Sequence, residues 1–209
     1  MTTVPSIPGR LGARFQAAVE FAARKHDGQT RKGKSVPYIA HLLSVASIVL
    51  EAGGDEDSAI AALLHDVVED CGGRPVLREI ELEFGSRVAH IVEGCTDSFG
   101  APKPPWKERK DSYLARLRTE DAGTRLVSAS DKLDNARSVL SDYRWDGESI
   151  WTRFSGGREG TLWYYRALAQ EFRGDPNRVA VELDRVVSEL ERVAGTVPGT
   201  AQKVSREQA

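Results

Sequence analysis

Apolar residues recur at helical spacing along almost the whole chain. Phe15, Val19, Ala22 and Ala23 share one face of a first helix, which should end near Asp27-Gly28. A polar, basic loop follows from Gln29 to Val36, and Pro37 then opens a second helix. There Leu42, Val45, Ala46 and Val49 form the apolar stripe, and Gly53-Gly54 stops it. Asp55 can cap a third helix carrying Ile60, Leu63, Leu64, Val67 and Val68, closed by Cys71-Gly72-Gly73. Pro75 suits the first turn of a short helix with Ile80 and Phe84, and Ser86 can cap the next, with Val88, Ile91 and Val92. The stretch Thr96–Pro105 carries Gly100 and three prolines and reads as a loop. Helical patterns return over Lys107–Leu117 and Asp121–Leu140. Gly156-Gly157 then precedes an aromatic helix around Leu162–Phe172, and Pro176 opens a last one through Val193. No stretch alternates long enough for a strand, so the pattern predicts an all-α, compact multi-helix bundle. The expected organisation is a segment 1–10, a single domain 11–194 and a mobile polar tail 195–209.

Composition narrows the class. At 209 residues, 40% hydrophobic and 29% charged, the chain can bury one domain's core and is not a disordered sequence. Its longest apolar run, Ala59–Leu64, is far short of the ~20 residues that cross a membrane. Met1–Arg10 holds two prolines and no apolar core, so no secretory signal is expected. Two cysteines, Cys71 and Cys95, make no disulfide framework and suit a reducing cytoplasm. Lys plus Arg number 29 against 31 Asp plus Glu, which leaves no general attraction for nucleic acid or an anionic membrane. A polyanionic small molecule would have to be held by a local basic pocket.

The chemistry concentrates in His65-Asp66-Val67-Val68-Glu69-Asp70. On a continuous helix His65 and Asp66 are neighbours, and each has a carboxylate one turn later, at Glu69 and Asp70. Acids grouped beside a core face are costly unless a cation neutralises them. Read alone, the cluster is equally a solvated helix end with an incidental histidine. His41, on an apolar stretch, and Asp131, in a helix of small and polar residues, change the balance. Two imidazoles and two carboxylates from three helices suit a divalent transition metal with positions left open.

The order His, His-Asp, Asp resembles the HD superfamily of metal-dependent phosphohydrolases. Longer stretches are similar to the hydrolase domain of the RelA/SpoT alarmone enzymes: Phe21–Lys32, Pro37–His41, Ala62–Asp70, Phe84–Ala89, Gly94–Asp97 and Asp131–Arg137. The resemblance covers Phe15 to Leu140 and leaves no room for that family's synthetase domain, so it points to a hydrolase-only member; Thr96-Asp97-Ser98 and Glu108-Arg109-Lys110 fit that branch. It implies Mn²⁺ held by His41, His65, Asp66 and Asp131, with Glu69 and Asp70 beside the attacking water. It implies that Arg31 and Lys32 pack on the nucleotide base and that Asn135 lies near the ribose and phosphates. The implied reaction removes pyrophosphate from the 3′ position of ppGpp or pppGpp.

Lys103, Lys107, Arg109 and Lys110 are the cations expected to meet the substrate's phosphates. The chain departs from the family pattern in a loop one residue longer between Arg31-Lys32 and Pro37, in Leu42 after His41, and in Lys132 and Asp134. The long loop leaves open an adenosine alarmone or a nucleotide-cofactor phosphate as substrate, and a non-catalytic nucleotide-binding regulator is a further alternative. His26 and His90 are expected to be structural. Tyr164 and Tyr165 could close the nucleotide pocket or belong to the core. The oligomeric state is left open.

Overall fold

A computed structural model describes residues 11–99 and 103–195. The segment 1–10, Gly100 to Pro102 and the tail from 196 onward lie outside the described residues. Ten α-helices follow one another: α1 (Ala13–Lys25), α2 (Ile39–Glu51), α3 (Glu56–Leu64), α4 (Val67–Cys71), α5 (Arg74–Phe84), α6 (Ser86–Cys95), α7 (Trp106–Leu117), α8 (Ala122–Asp146), α9 (Gly157–Glu171) and α10 (Arg178–Gly195). A 3-10 turn at Gly147–Arg153 joins α8 to α9. The fold is all-α, and among the described residues the only β pairing is an isolated bridge between Thr30 and Pro37. No described helix is long and apolar enough to cross a membrane.

Local signals account for most boundaries. Asp55 accepts a hydrogen bond from the Ser58 amide and Asp121 one from the Thr124 amide, so both cap their helices from the N-terminal side. Gly72 (φ 147°) and Gly73 (φ 65°) turn the chain between α4 and α5 in a backbone region that side chains disfavour. Other details differ from the sequence pattern. Pro37 pairs with Thr30 across the loop, so α2 starts two residues later than expected. Ser86 is the first residue of α6 and caps nothing; Gly85 takes that place at φ 94°. Asn177, not Pro176, starts α10, by accepting from the Ala180 amide, and that helix includes Gly195.

The largest correction concerns the third helix, which breaks in two at His65-Asp66. The His65 ring takes the Ala62 carbonyl (Nδ1 to O, 2.8 Å), and Asp66 adopts φ −95°, ψ −10° before α4 begins. A local side-chain bond has here displaced helix continuation.

Two apolar clusters form the core. One surrounds α3, whose residues Ala59 to Leu64 are all fully buried, and draws in α1, α2, α5 and α6; Phe21 and Phe84 meet edge-to-face at 5.5 Å. The other is built from α7, α9, α10 and the C-terminal part of α8. Helix α8 serves both, with Val127 in the first cluster and Leu133, Ala136, Val139 and Leu140 in the second. It therefore sets the angle between the halves and carries whatever lies in their seam.

Gly94 brings α6 close to the start of α8: a Cβ there would strike the Thr124 methyl and crowd the Glu120 carboxylate. Overpacking of this kind costs ~1–3 kcal/mol. Gly94→Ala is expected to lower the thermal midpoint by several degrees, as read by circular dichroism; an unchanged midpoint would show that the helices separate freely.

Candidate active site

At the seam, three helical segments bring two imidazoles and two carboxylates together. His41 comes from the first turns of α2, His65 and Asp66 from the break after α3, and Asp131 from α8. The Nε2 atom of His41 lies 3.2 Å from Asp131 Oδ1 and 3.6 Å from Asp66 Oδ2. The Nε2 atom of His65 lies 3.1 Å from Asp66 Oδ2 and 3.5 Å from Asp131 Oδ1. Each ring is anchored by its other nitrogen. His41 Nδ1 is 2.6 Å from Asp134 Oδ2, and His65 Nδ1 is 2.8 Å from the Ala62 carbonyl. Donation from both Nδ1 atoms leaves the two Nε2 lone pairs facing each other, and both Nε2 atoms are buried without a hydrogen-bond partner. His41, His65 and Asp66 each offer a ligand atom within 4.8 Å of the others. Orphaned imidazole nitrogens beside paired carboxylates are the donor set of a divalent cation.

The electrostatics agree. Burial alone would push both histidines toward neutrality, yet the surrounding carboxylates outweigh it. The adjacent carboxylates of Asp131, Asp134 and Asp66 raise His41 to about 9, and the charges of Asp66 and Asp131 raise His65 well above its ordinary value. Burial opposes ionisation of Asp66 and Asp131, but His65 beside Asp66, and Lys132 with His65 beside Asp131, hold both well below the usual carboxylate range. Without a metal, protons on the two imidazoles offset the paired carboxylates, and a bound dication would take the place of those protons.

It forms the floor of a cleft of about 410 Å³ between the loop after α1, α7, α8 and α9. A family model described as an HD domain matches residues 18–162. The chain belongs to the HD domain family. Human guanosine-3′,5′-bis(diphosphate) 3′-pyrophosphohydrolase MESH1 is 40% identical to this HD domain over 134 residues, 63% of this chain and 72% of the human one. The Drosophila melanogaster protein of the same name is 31% identical over 189 residues, 89% of this chain and 96% of its own. The solved structure of a metazoan ortholog of SpoT, described as hydrolysing ppGpp, matches with a TM-score of 0.69 at 28% identity, over 94% of this chain and all of that one.

Most residues singled out from the sequence of the HD domain line this cleft, but not as one group. Arg31 donates to Asn135 Oδ1 at 2.8 Å, and Asn135 in turn donates to Asp131, so the loop and the His–Asp cluster are linked through α8. Lys32 lines the cleft and is exposed. As neighbours on α4, about 100° apart around its axis, Glu69 and Asp70 diverge. Glu69 accepts from Lys103 Nζ (2.7 Å) and the Asp97 amide (3.3 Å), whereas Asp70 accepts from Gln29 (3.0 Å). Burial and the charges of Asp66 and Glu69 raise the Asp70 carboxyl above its ordinary value. Arg109 and Lys110 reach the cleft and both bind Asp97 Oδ2. Lys107 does not: one turn of α7 carries it outward, where it pairs with Asp111 at 2.6 Å and lies 3.9 Å from the Trp163 ring centroid. Lys103 touches the site only through Glu69.

His26 is buried, stacked on Tyr38, with Nδ1 2.6 Å from Gln29 Oε1; His90 is exposed and pairs with Asp121. Three further cleft residues were given no role by the sequence, although Tyr38 and Asp97 lie within its family-like stretches. Tyr38 donates to Asp66 Oδ2 at 2.6 Å, Asp97 gathers the α7 cations, and Lys34 binds Asp142 (2.6 Å) and Ser138 (3.1 Å) across the loop. Tyr164 and Tyr165 are at once buried and part of the cleft wall. Asp134, noted only as a departure, proves to anchor both His41 and the Ser44 hydroxyl.

Loss of such an anchor behind a metal-binding histidine typically costs 10–100-fold in affinity. Asp134→Ala is expected to weaken divalent-metal binding by about that factor, as measured by equilibrium titration. Wild-type affinity in the variant would mean that His41 is fixed by packing alone.

Proposed function

We propose that this HD domain hydrolyses the 3′-pyrophosphate of ppGpp and pppGpp, giving GDP or GTP and pyrophosphate. The observation that carries this reading is the pair of bare Nε2 atoms set against two carboxylates at the floor of a cation-lined cleft. The likeness to MESH1 supports the same substrate. His41, His65, Asp66 and Asp131 would hold the metal, and Mn²⁺ is the ion we assign. When bound, a dication there acidifies water and offsets charge on the attacked phosphorus.

The chain's own groups then do the rest. Asp70, whose carboxyl is shifted upward, can take the proton from the attacking water, and Glu69, tethered by Lys103, orients that water. Arg31 and Lys32 pack against the base, since a planar guanidinium stacks well on a purine. Asn135 meets the ribose, and Arg109 and Lys110 meet the phosphates. The partner is a small nucleotide in the cytoplasm, with no nucleic acid or membrane involved.

Purified protein with Mn²⁺ should release pyrophosphate from ppGpp, and chelation should abolish the release. Full activity after Asp66→Ala or Asp131→Ala would overturn the ligand set. A panel of guanosine and adenosine alarmones reads the base preference, which we place on guanosine.

Binding and chemistry should also separate by mutation. Glu69→Gln is expected to retain metal and nucleotide but lose ~10²–10⁴-fold in turnover. Asp66→Asn should lose metal first, because it removes a charged ligand from a dication. Equal metal loss in both variants, by elemental analysis, would make Glu69 a ligand.

A further inference from the structure

His26 and Gln29 take no part in the scheme above, yet they lead directly to Asp70. His26 closes α1: its amide donates to the Ala22 carbonyl, and its own carbonyl accepts from the Gln29 amide at 3.0 Å. Gly28, at φ 72°, makes this tight turn possible. The turn brings Gln29 against a residue 41 positions further along, where Gln29 Nε2 donates to Asp70 Oδ2 at 3.0 Å. The direction of these bonds is forced. A carboxylate that is to take a proton can only accept, so the amide nitrogen of Gln29 faces Asp70. The amide oxygen then faces His26 Nδ1, 2.6 Å away, and needs a donor there. The His26 hydrogen therefore sits on Nδ1. Hydrogen on Nε2 alone would be buried with no acceptor among the described residues, and would set the Nδ1 lone pair against the Gln29 oxygen. The Cys71 thiol, 4.0 Å from Nδ1, donates to the Lys25 carbonyl instead (3.3 Å).

The ring itself has little freedom. His26 is 4% exposed and stacks on Tyr38, with ring centroids 4.9 Å apart and 20° between the planes. Tyr38 in turn donates to Asp66 Oδ2 at 2.6 Å. One stacked pair thus reaches both carboxylates, Asp66 through the Tyr38 hydroxyl and Asp70 through Gln29. Their separation sets how far the proton acceptor stands from the expected metal ligands. A carboxylate free to rotate would sample several staggered positions, and the Gln29 bond selects one. The same bond favours the charged form, against burial and the charges of Asp66 and Glu69.

We infer that His26 and Gln29 are positioning residues for Asp70: His26 Nδ1–H fixes the Gln29 amide, and the amide holds one carboxylate oxygen while the other takes the proton. The inference rests on the hydrolase reading for the role of Asp70, but the state of the His26 ring tests it without substrate. In the chain loaded with diamagnetic Zn²⁺, long-range proton–nitrogen correlation spectra should find the His26 hydrogen on Nδ1. Hydrogen on Nε2 alone would overturn the link. In turnover with Mn²⁺, Gln29→Met should lower kcat for ppGpp by about 10–100-fold, the worth of a hydrogen bond to a charged group, with KM and metal content unchanged. The same substitution should change nothing in an Asp70→Asn background, because its effect passes through that carboxylate. His26→Leu should behave like Gln29→Met. His26→Asn, whose amide nitrogen sits as far from Cβ as Nδ1 does, should recover most of the loss. Gln29 is only half-buried, so its variant decides the matter even where His26→Leu fails to fold. Wild-type kcat in Gln29→Met, or an equal loss with and without the Asp70 carboxylate, would overturn the inference. Failure of the wild type to cleave ppGpp would overturn only the hydrolase reading, since the His26 ring is read independently of it.

Discussion

Burying two imidazoles and two carboxylates at one point is costly unless every charge and donor finds a partner. The packing around this centre supplies partners on all sides but one. Asp134 and the Ala62 carbonyl take the outer nitrogens of His41 and His65, Tyr38 holds Asp66, and Lys132 and Asn135 hold Asp131. What remains unsatisfied are the two Nε2 atoms, aimed at a common space. The break between α3 and α4 follows from the same arrangement, since the His65 ring occupies a carbonyl at the helix end.

Helix α8 makes the arrangement possible. Asp131, Asn135, Ser138 and Asp142 fall on one stripe of it, at spacings of four, three and four residues, and all line the cleft. The stripe runs from the His–Asp cluster to the loop after α1, which is fastened by Arg31 to Asn135 and by Lys34 to Ser138 and Asp142. Chemistry at one end and the expected base-binding loop at the other are thus parts of one rigid element. In a chain with a net charge of −2, cations from the loop, α7 and α8 converge in the cleft beside six carboxylates, so charge of both signs is concentrated there.

Much of this was legible in local patterns. The apolar stripes of α2 and α5 and the cap at Asp55 are short-range effects, complete within a turn or two of chain. The order His41, His65-Asp66, Asp131 was legible only as a family pattern, because spacing along the chain says nothing about where three helices cross. Lys107 shows the limit from the other side. Its sequence context matches that of Arg109 and Lys110, yet the helical turn directs it to Asp111 and Trp163 and away from the cleft.

The sequence by itself determined most of the helices, the all-α class and the identity of the four groups at the centre, since periodicity, capping and a linked motif all survive without knowledge of packing. Only the tertiary structure decided their surroundings. It made Asp134 the anchor of His41, turned Glu69 toward Lys103 while Asp70 turned to Gln29, and left Tyr164 buried yet facing the cleft. Each of these outcomes depends on contacts between residues far apart in the chain, formed where α8 crosses the two halves of the core. A hydrogen bond needs its partner within about 3 Å and in line, and no local pattern carries that information.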